Sequence, residues 1–94
     1  KEVILIPEDY KFQSIYPNPF NPVTTIPFAI PVDSQIKIDV YDLKGNHIDQ
    51  LVNQNYNAGF HQIVWSPNNI SSGLYFIQFQ TPTYISKQKV IFIK

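Results

Sequence analysis

No cysteine, methionine or arginine occurs among the 94 residues of this chain. Without cysteine there is no disulfide, no thiolate metal ligand and no thiol nucleophile, and the redox compartment stays open, secretion included. Seven lysines balance seven acidic residues. That balance leaves no field to draw phosphate backbones or anionic membranes from a distance, so nucleic acid is not an expected partner. Long apolar runs are missing as well. The opening Val3-Ile4-Leu5-Ile6 is too short for a signal peptide or a membrane span, and no membrane insertion is expected. Because Lys1 stands where an initiator methionine would, the chain reads as a module cut from a larger protein.

What is present points to a folded core. Apolar residues make up 44% and aromatics 15% of the composition, far above what a disordered chain carries. The length suits one core between two packed layers and not two domains. Six of the eight prolines, Pro7, Pro17, Pro19, Pro22, Pro27 and Pro31, fall in the first third and exclude a continuous helix there. Beyond them, runs rich in Ile, Val, Tyr and Phe alternate with turn residues.

Thr24 to Ile30 sets Ile26, Phe28 and Ile30 on one face, with Pro27 withholding a ladder donor, and reads as an edge or bulged strand. Gln35 to Asp42 alternates most clearly, with Ile36, Ile38 and Val40 inward. Asp42 to Asn46, with Gly45 in a left-handed position, predicts a hairpin into His47 through Val52. Asn57-Ala58-Gly59 predicts the next turn, and Trp65 on the following strand is the expected central core aromatic. Leu74 to Gln80 places Tyr75, Ile77 and Phe79 on one face. Thr81-Pro82-Thr83 leads into a last strand from Tyr84 to Ile93. The even spacing of Gly45, Gly59 and Gly73 reads as hairpin spacing. About seven antiparallel strands predict an all-β, immunoglobulin-like sandwich.

Catalytic machinery is not legible. No nucleophile stands beside a base, and no paired carboxylates or ligand cluster appear, so no enzyme, metal or cofactor is predicted. His47 and His61 fall on different strands without neighbouring ligands. Asp39, Asp42 and Asp49 flank one hairpin without calcium-loop spacing and read as solvated strand charges. Asn69-Ile70-Ser71 matches a glycosylation sequon. Tyr10, Tyr16, Tyr56 and Tyr84 have the chemistry of a sugar platform, although packing in the core and turns is the more economical reading.

The run Tyr16-Pro17-Asn18-Pro19-Phe20-Asn21-Pro22, followed by Thr24-Thr25-Ile26, resembles the opening of the type A C-terminal sorting domain of type IX secretion, found in Bacteroidetes-type bacteria. The similarity continues in order through Val40 to Gly45, Ala58 to Trp65, Ser72 to Phe76 and Lys87 to Lys94, so residues 15–94 read as the sorting domain. Residues 1–14 read as a linker or the end of a preceding domain, with a possible edge or exchanged strand. Within the motifs, Asn18 and Asn21 suit caps of tight turns, and the prolines fix the path of the chain.

The resemblance implies a non-catalytic module at the C-terminus of a secreted protein. Its partners would be the outer-membrane type IX translocon and a sortase-like peptidase that cuts upstream, in or before Pro7 to Ser14. The destination would be the cell surface or medium, reached through the periplasm. Gly73, Tyr75, Lys87, Lys89 and Lys94, in the last two family motifs, are the candidate recognition residues. Edge-strand lysines also discourage aggregation, which is their alternative role. Two other functions stay open: a self-assembling module using Val3, Ile4, Leu5 and Ile6 as an added strand, and a carbohydrate-binding accessory domain.

Overall fold

The computed structural model describes residues 5–94. Its strands are β1 (Lys11–Phe12), β2 (Thr24–Ile30), β3 (Ser34–Asp42), β4 (His47–Tyr56), β5 (Gly59–Trp65), β6 (Gly73–Gln80) and β7 (Ile85–Phe92). They form a three-stranded sheet of order β1-β2-β5 packed on a four-stranded sheet of order β4-β3-β6-β7. Every strand pair is antiparallel. This is the predicted immunoglobulin-like sandwich, with its fourth strand beside the third instead of in the sheet of the first, second and fifth as in constant-type domains.

Period-two alternation builds the core. Ile26, Phe28 and Ile30 of β2 face Ile36, Ile38 and Val40 of β3 and Ile77 and Phe79 of β6, and all are fully buried. The central aromatics are Phe28 and Phe79, whose ring centroids lie 5.2 Å apart. Trp65 is also buried but closes β5, against Phe20 and Tyr75, so it is not the centre that its size suggested.

Three further expectations are corrected by tertiary placement. β2 is the middle strand of its sheet and not an edge. Pro27 is tolerated there because its missing donor faces the short β1, where its carbonyl accepts the Gln13 N–H at 3.1 Å. Of the glycines, Gly45, at φ 89°, sits in a hairpin. Gly59 lies where the chain leaves the four-stranded sheet for the three-stranded one, and Gly73 where it returns. Asp39, expected in solvent, is 6% exposed. On the outer face of β3 one of its oxygens accepts from His47 Nε2 at 2.8 Å and Gln50 Nε2 at 3.0 Å.

Part of the stretch expected as a linker or edge strand belongs to the sandwich. Lys11 and Phe12 pair with Ala29 and Phe28, and Tyr10 stacks on Tyr84 while bonding Ser34 Oγ at 2.9 Å. Tyr10, Tyr56 and Tyr84 pack against the core, leaving Tyr16 as the exposed member of the four tyrosines. Of the proposed added strand, Val3 and Ile4 lie outside the described residues. Leu5 and Ile6 are exposed and belong to no strand.

Candidate recognition site

The heptapeptide and the last strand, at opposite ends of the sequence, meet in the fold. Tyr16 exchanges both backbone hydrogen bonds with Thr25, and the hydroxyl of the fully buried Thr24 donates to the Pro17 carbonyl at 2.8 Å. The Tyr16–Pro17, Asn18–Pro19 and Asn21–Pro22 peptide bonds are cis. From this anchor the chain runs along the outer side of β7.

Asn18 does not cap its own turn, as its residue type suggested. Its Nδ2 donates to the Lys89 carbonyl at 2.9 Å and its Oδ1 accepts the Ile91 N–H at 3.0 Å. The side-chain amide thus takes the place of a neighbouring strand's peptide group. Two residues on, the backbone does the same. Phe20 N–H donates to the Ile91 carbonyl and Ile93 N–H to the Phe20 carbonyl, both at 2.9 Å, in a parallel bridge. The Phe20 ring turns inward to 2% exposure, with centroids 5.4 Å from Trp65 and 5.2 Å from Phe92.

A second fastening runs through Gln88 of β7. Its Nε2 donates to the Gln13 carbonyl at 2.6 Å and to the Phe12 carbonyl at 3.3 Å, and its Oε1 accepts the Ile15 N–H at 3.1 Å. The Gln13 carbonyl is the acceptor that Pro27, lacking an N–H, leaves without its ladder partner. Gln88 therefore repairs from the opposite sheet a gap made by proline. Nothing in the local sequence signals this role, because Gln88 and Gln13 are 75 positions apart.

The candidate recognition residues fall into two groups. Lys87 and Lys89 alternate onto the outer face of the larger sheet, both exposed. Lys87 Nζ lies 5.8 Å from the Tyr41 ring centroid, within reach of a cation–π contact. With Tyr41, Phe76 and Gln78 it lines a shallow cleft of about 370 Å³. Gly73, Tyr75 and Lys94 gather at one end of the sandwich. Tyr75 points inward at 8% exposure, its hydroxyl donating to the Ser71 carbonyl at 2.7 Å, and the Lys94 N–H donates to Ser72 Oγ at 2.8 Å.

At the hairpin between β3 and β4 the carboxyl of Asp42 is stabilised in its charged form. Backbone donation from Asn46 is the largest cause holding the Asp42 carboxyl below its ordinary value, with the Asn46 side chain, the Lys44 N–H and the Lys44 charge adding to it. The contacts are direct: Asp42 Oδ1 accepts the N–H groups of Lys44 and Asn46, each at 2.9 Å. Asp42 is therefore the clasp of its turn. Among the described residues no group of three or more His, Asp or Glu is placed to hold a metal ion. His61 donates to the Asn57 carbonyl at 2.7 Å.

The described residues thus form a β-sandwich whose first motif is fastened along its last strand. The model of the secretion system C-terminal sorting domain matches residues 14–94, and the chain belongs to that family, the C-terminal sorting domains of type IX secretion. It carries a type IX sorting signal, engages that secretion machinery, and so marks a protein for export to the cell surface or medium. No curated protein and no solved structure matches the chain.

Proposed function

We propose that the sorting signal is read from the folded surface of the domain, at the outer face that carries Lys87 and Lys89, and that the module performs no chemistry. The supporting observation is the pairing of these two lysines on one exposed face beside the Tyr41 and Phe76 cleft. Among the described residues neither lysine has a carboxylate partner. The outer-membrane translocon is the reader in this account. Gly73 and Lys94 lie apart from that face, at one end of the sandwich, and Tyr75 acts from within by holding the Ser71 carbonyl.

Residues 1–14 then serve as the approach for the sortase-like peptidase. Leu5, Ile6, Glu8 and Asp9 are exposed, whereas Tyr10 to Gln13 are tied into the sandwich by Ser34, β2 and Gln88. A protease needs extended, accessible backbone, so the cut falls at or before Asp9.

The test is export of a reporter carrying residues 5–94 at its C-terminus from a host with type IX machinery. Deleting Lys87 to Lys94 would remove most of β7 and destroy the fold with the signal. The informative variant is therefore Lys87→Gln with Lys89→Gln, whose exposed substitutions change stability by within about 0.5 kcal/mol. Export of the parent and periplasmic retention of the folded double variant is the expected result. Equal export of both would sink the lysine face while leaving the sorting role intact.

A further inference from the structure

Among the described residues four strands have one side without a sheet neighbour: β1, β4, β5 and β7. Three of them carry a recognisable defence against pairing with another chain. β1 is only two residues long. β4 is kinked by two register slips against β3, at Ile38/Asp39 and Val40/Tyr41. β7 is covered by Asn18 and Phe20 over its second half and flanked by lysines.

β5 has none of these. Its seven residues pair with β2 without a slip and include no proline, lysine, aspartate or glutamate. Thr25 and Pro27 direct their backbone groups toward the β1 side. Alternation therefore bonds Gly59, His61, Ile63 and Trp65 to β2, and points the N–H and C=O groups of Phe60, Gln62 and Val64 away from the sheet. The side chains of those same three residues are exposed on its outer face, Phe60 at 58% and Val64 at 62%.

We infer that β5 is a self-pairing edge and that its occupant is β5 of a second copy of this chain. The strand is complementary to itself. Antiparallel pairing about a two-fold axis at Gln62 sets Phe60 against Val64 of the partner subunit, Gln62 against its own copy, and Val64 against Phe60 of the partner subunit. All three are positions whose backbone groups face outward, so each forms a doubly hydrogen-bonded pair. The two flanking pairs are aromatic against β-branched, a favourable cross-strand combination, and no charge opposes a like charge. A symmetric interface of this kind closes as a dimer. The smaller sheets join into one of order β1-β2-β5-β5-β2-β1, whose outer face is continued by a groove in which Phe60, Ala29, Leu5 and Ile6 meet Glu8, Asp9 and Lys11. This pairing does not depend on the sorting role, and it leaves β7 and the lysine face free.

The decisive experiment is sedimentation velocity of the 94-residue chain over a concentration series, with Gln62→Lys and Gln62→Glu variants. The parent is expected to pass from monomer to dimer with rising concentration. Each variant alone places like charges face to face on the axis and weakens association roughly tenfold or more. An equimolar mixture of the two variants restores the dimer, which also shows that both are folded. A parent that stays monomeric at every concentration overturns the proposal and assigns the edge to a foreign strand or to none. A dimer undiminished in Gln62→Lys overturns it in favour of another face.

Discussion

β5 and β7 are both outermost strands of similar length, yet among the described residues one is left bare and the other is covered. Along β7 the chain spends its most distinctive sequence, the heptapeptide, on closing an edge: Asn18 and Phe20 occupy backbone groups from Lys89 to Ile93. Along β5 no described segment returns. The difference teaches that edge protection here is a tertiary act by a remote segment and is not a property of the protected strand. It also explains how a heptapeptide so rich in proline, and unable to form a regular strand itself, still contributes ladder-like bonds. An asparagine amide and a single residue with free N–H and C=O suffice.

The largest effect should come from Phe20→Ala. The ring fills the space between Trp65 and Phe92, and its loss is expected to cost about 3–5 kcal/mol, a large share of the roughly 5–15 kcal/mol that holds a small domain together. Urea unfolding followed by Trp65 fluorescence reads it directly. Gln88→Ala should cost less, about 1–3 kcal/mol, because two carbonyls and one N–H lose their partner while the core stays filled. Hydrogen exchange should accelerate at Ile15 and leave the β2–β5 ladder protected. Unchanged exchange at Ile15 would mean that water replaces the glutamine amide without loss.

Asn18→Ala sharpens the comparison by uncovering part of β7 alone. About 1 kcal/mol is expected for exposed hydrogen bonds, with faster exchange at the Ile91 amide and retained protection at Ile93, which Phe20 still holds. The smallest effect lies at the β3–β4 hairpin, far from both edges. Because the folded state depresses the Asp42 pKa below 3.8, its contribution is complete above the ordinary carboxylate range and is lost as pH falls through the depressed value. Asp42→Asn should therefore lower the urea midpoint slightly at neutral pH and leave it unchanged in strong acid. A difference of equal size at both pH values would show that the charge is irrelevant.

Much of this architecture was legible along the chain. The inward faces of β2, β3 and β6 follow from alternation at Ile26, Phe28, Ile36, Ile38, Ile77 and Phe79, and the Asp42 to Asn46 hairpin follows from its turn residues. The candidate site was legible only as a set of motifs. Lys87 and Lys89 sharing a face, and Tyr75 sharing one with Ile77 and Phe79, follow from a period of two, but the bond of the Tyr75 hydroxyl to Ser71 and the reach of Asn18 to β7 do not. Asparagine has the same local preference for turns whether or not a remote strand is within reach of its amide. Asp39 was misread for a related reason: alternation reports which face a side chain takes, not which neighbours, here His47 and Gln50, cover it there.

By itself the sequence determined the strand count, the one-core size and the family motifs, because these depend on local periodicity, turn chemistry and residue identity. Only the tertiary structure decided which sheet each strand joins, that Gly59 and Gly73 mark changes of sheet, that Phe28 and Phe79 outrank Trp65 at the centre, and that Gln88 answers for Pro27. Those outcomes depend on which unpaired backbone groups and apolar faces become neighbours once the chain has closed. That is a matter of contacts between residues far apart in sequence, by as many as 76 positions, and no local pattern carries it.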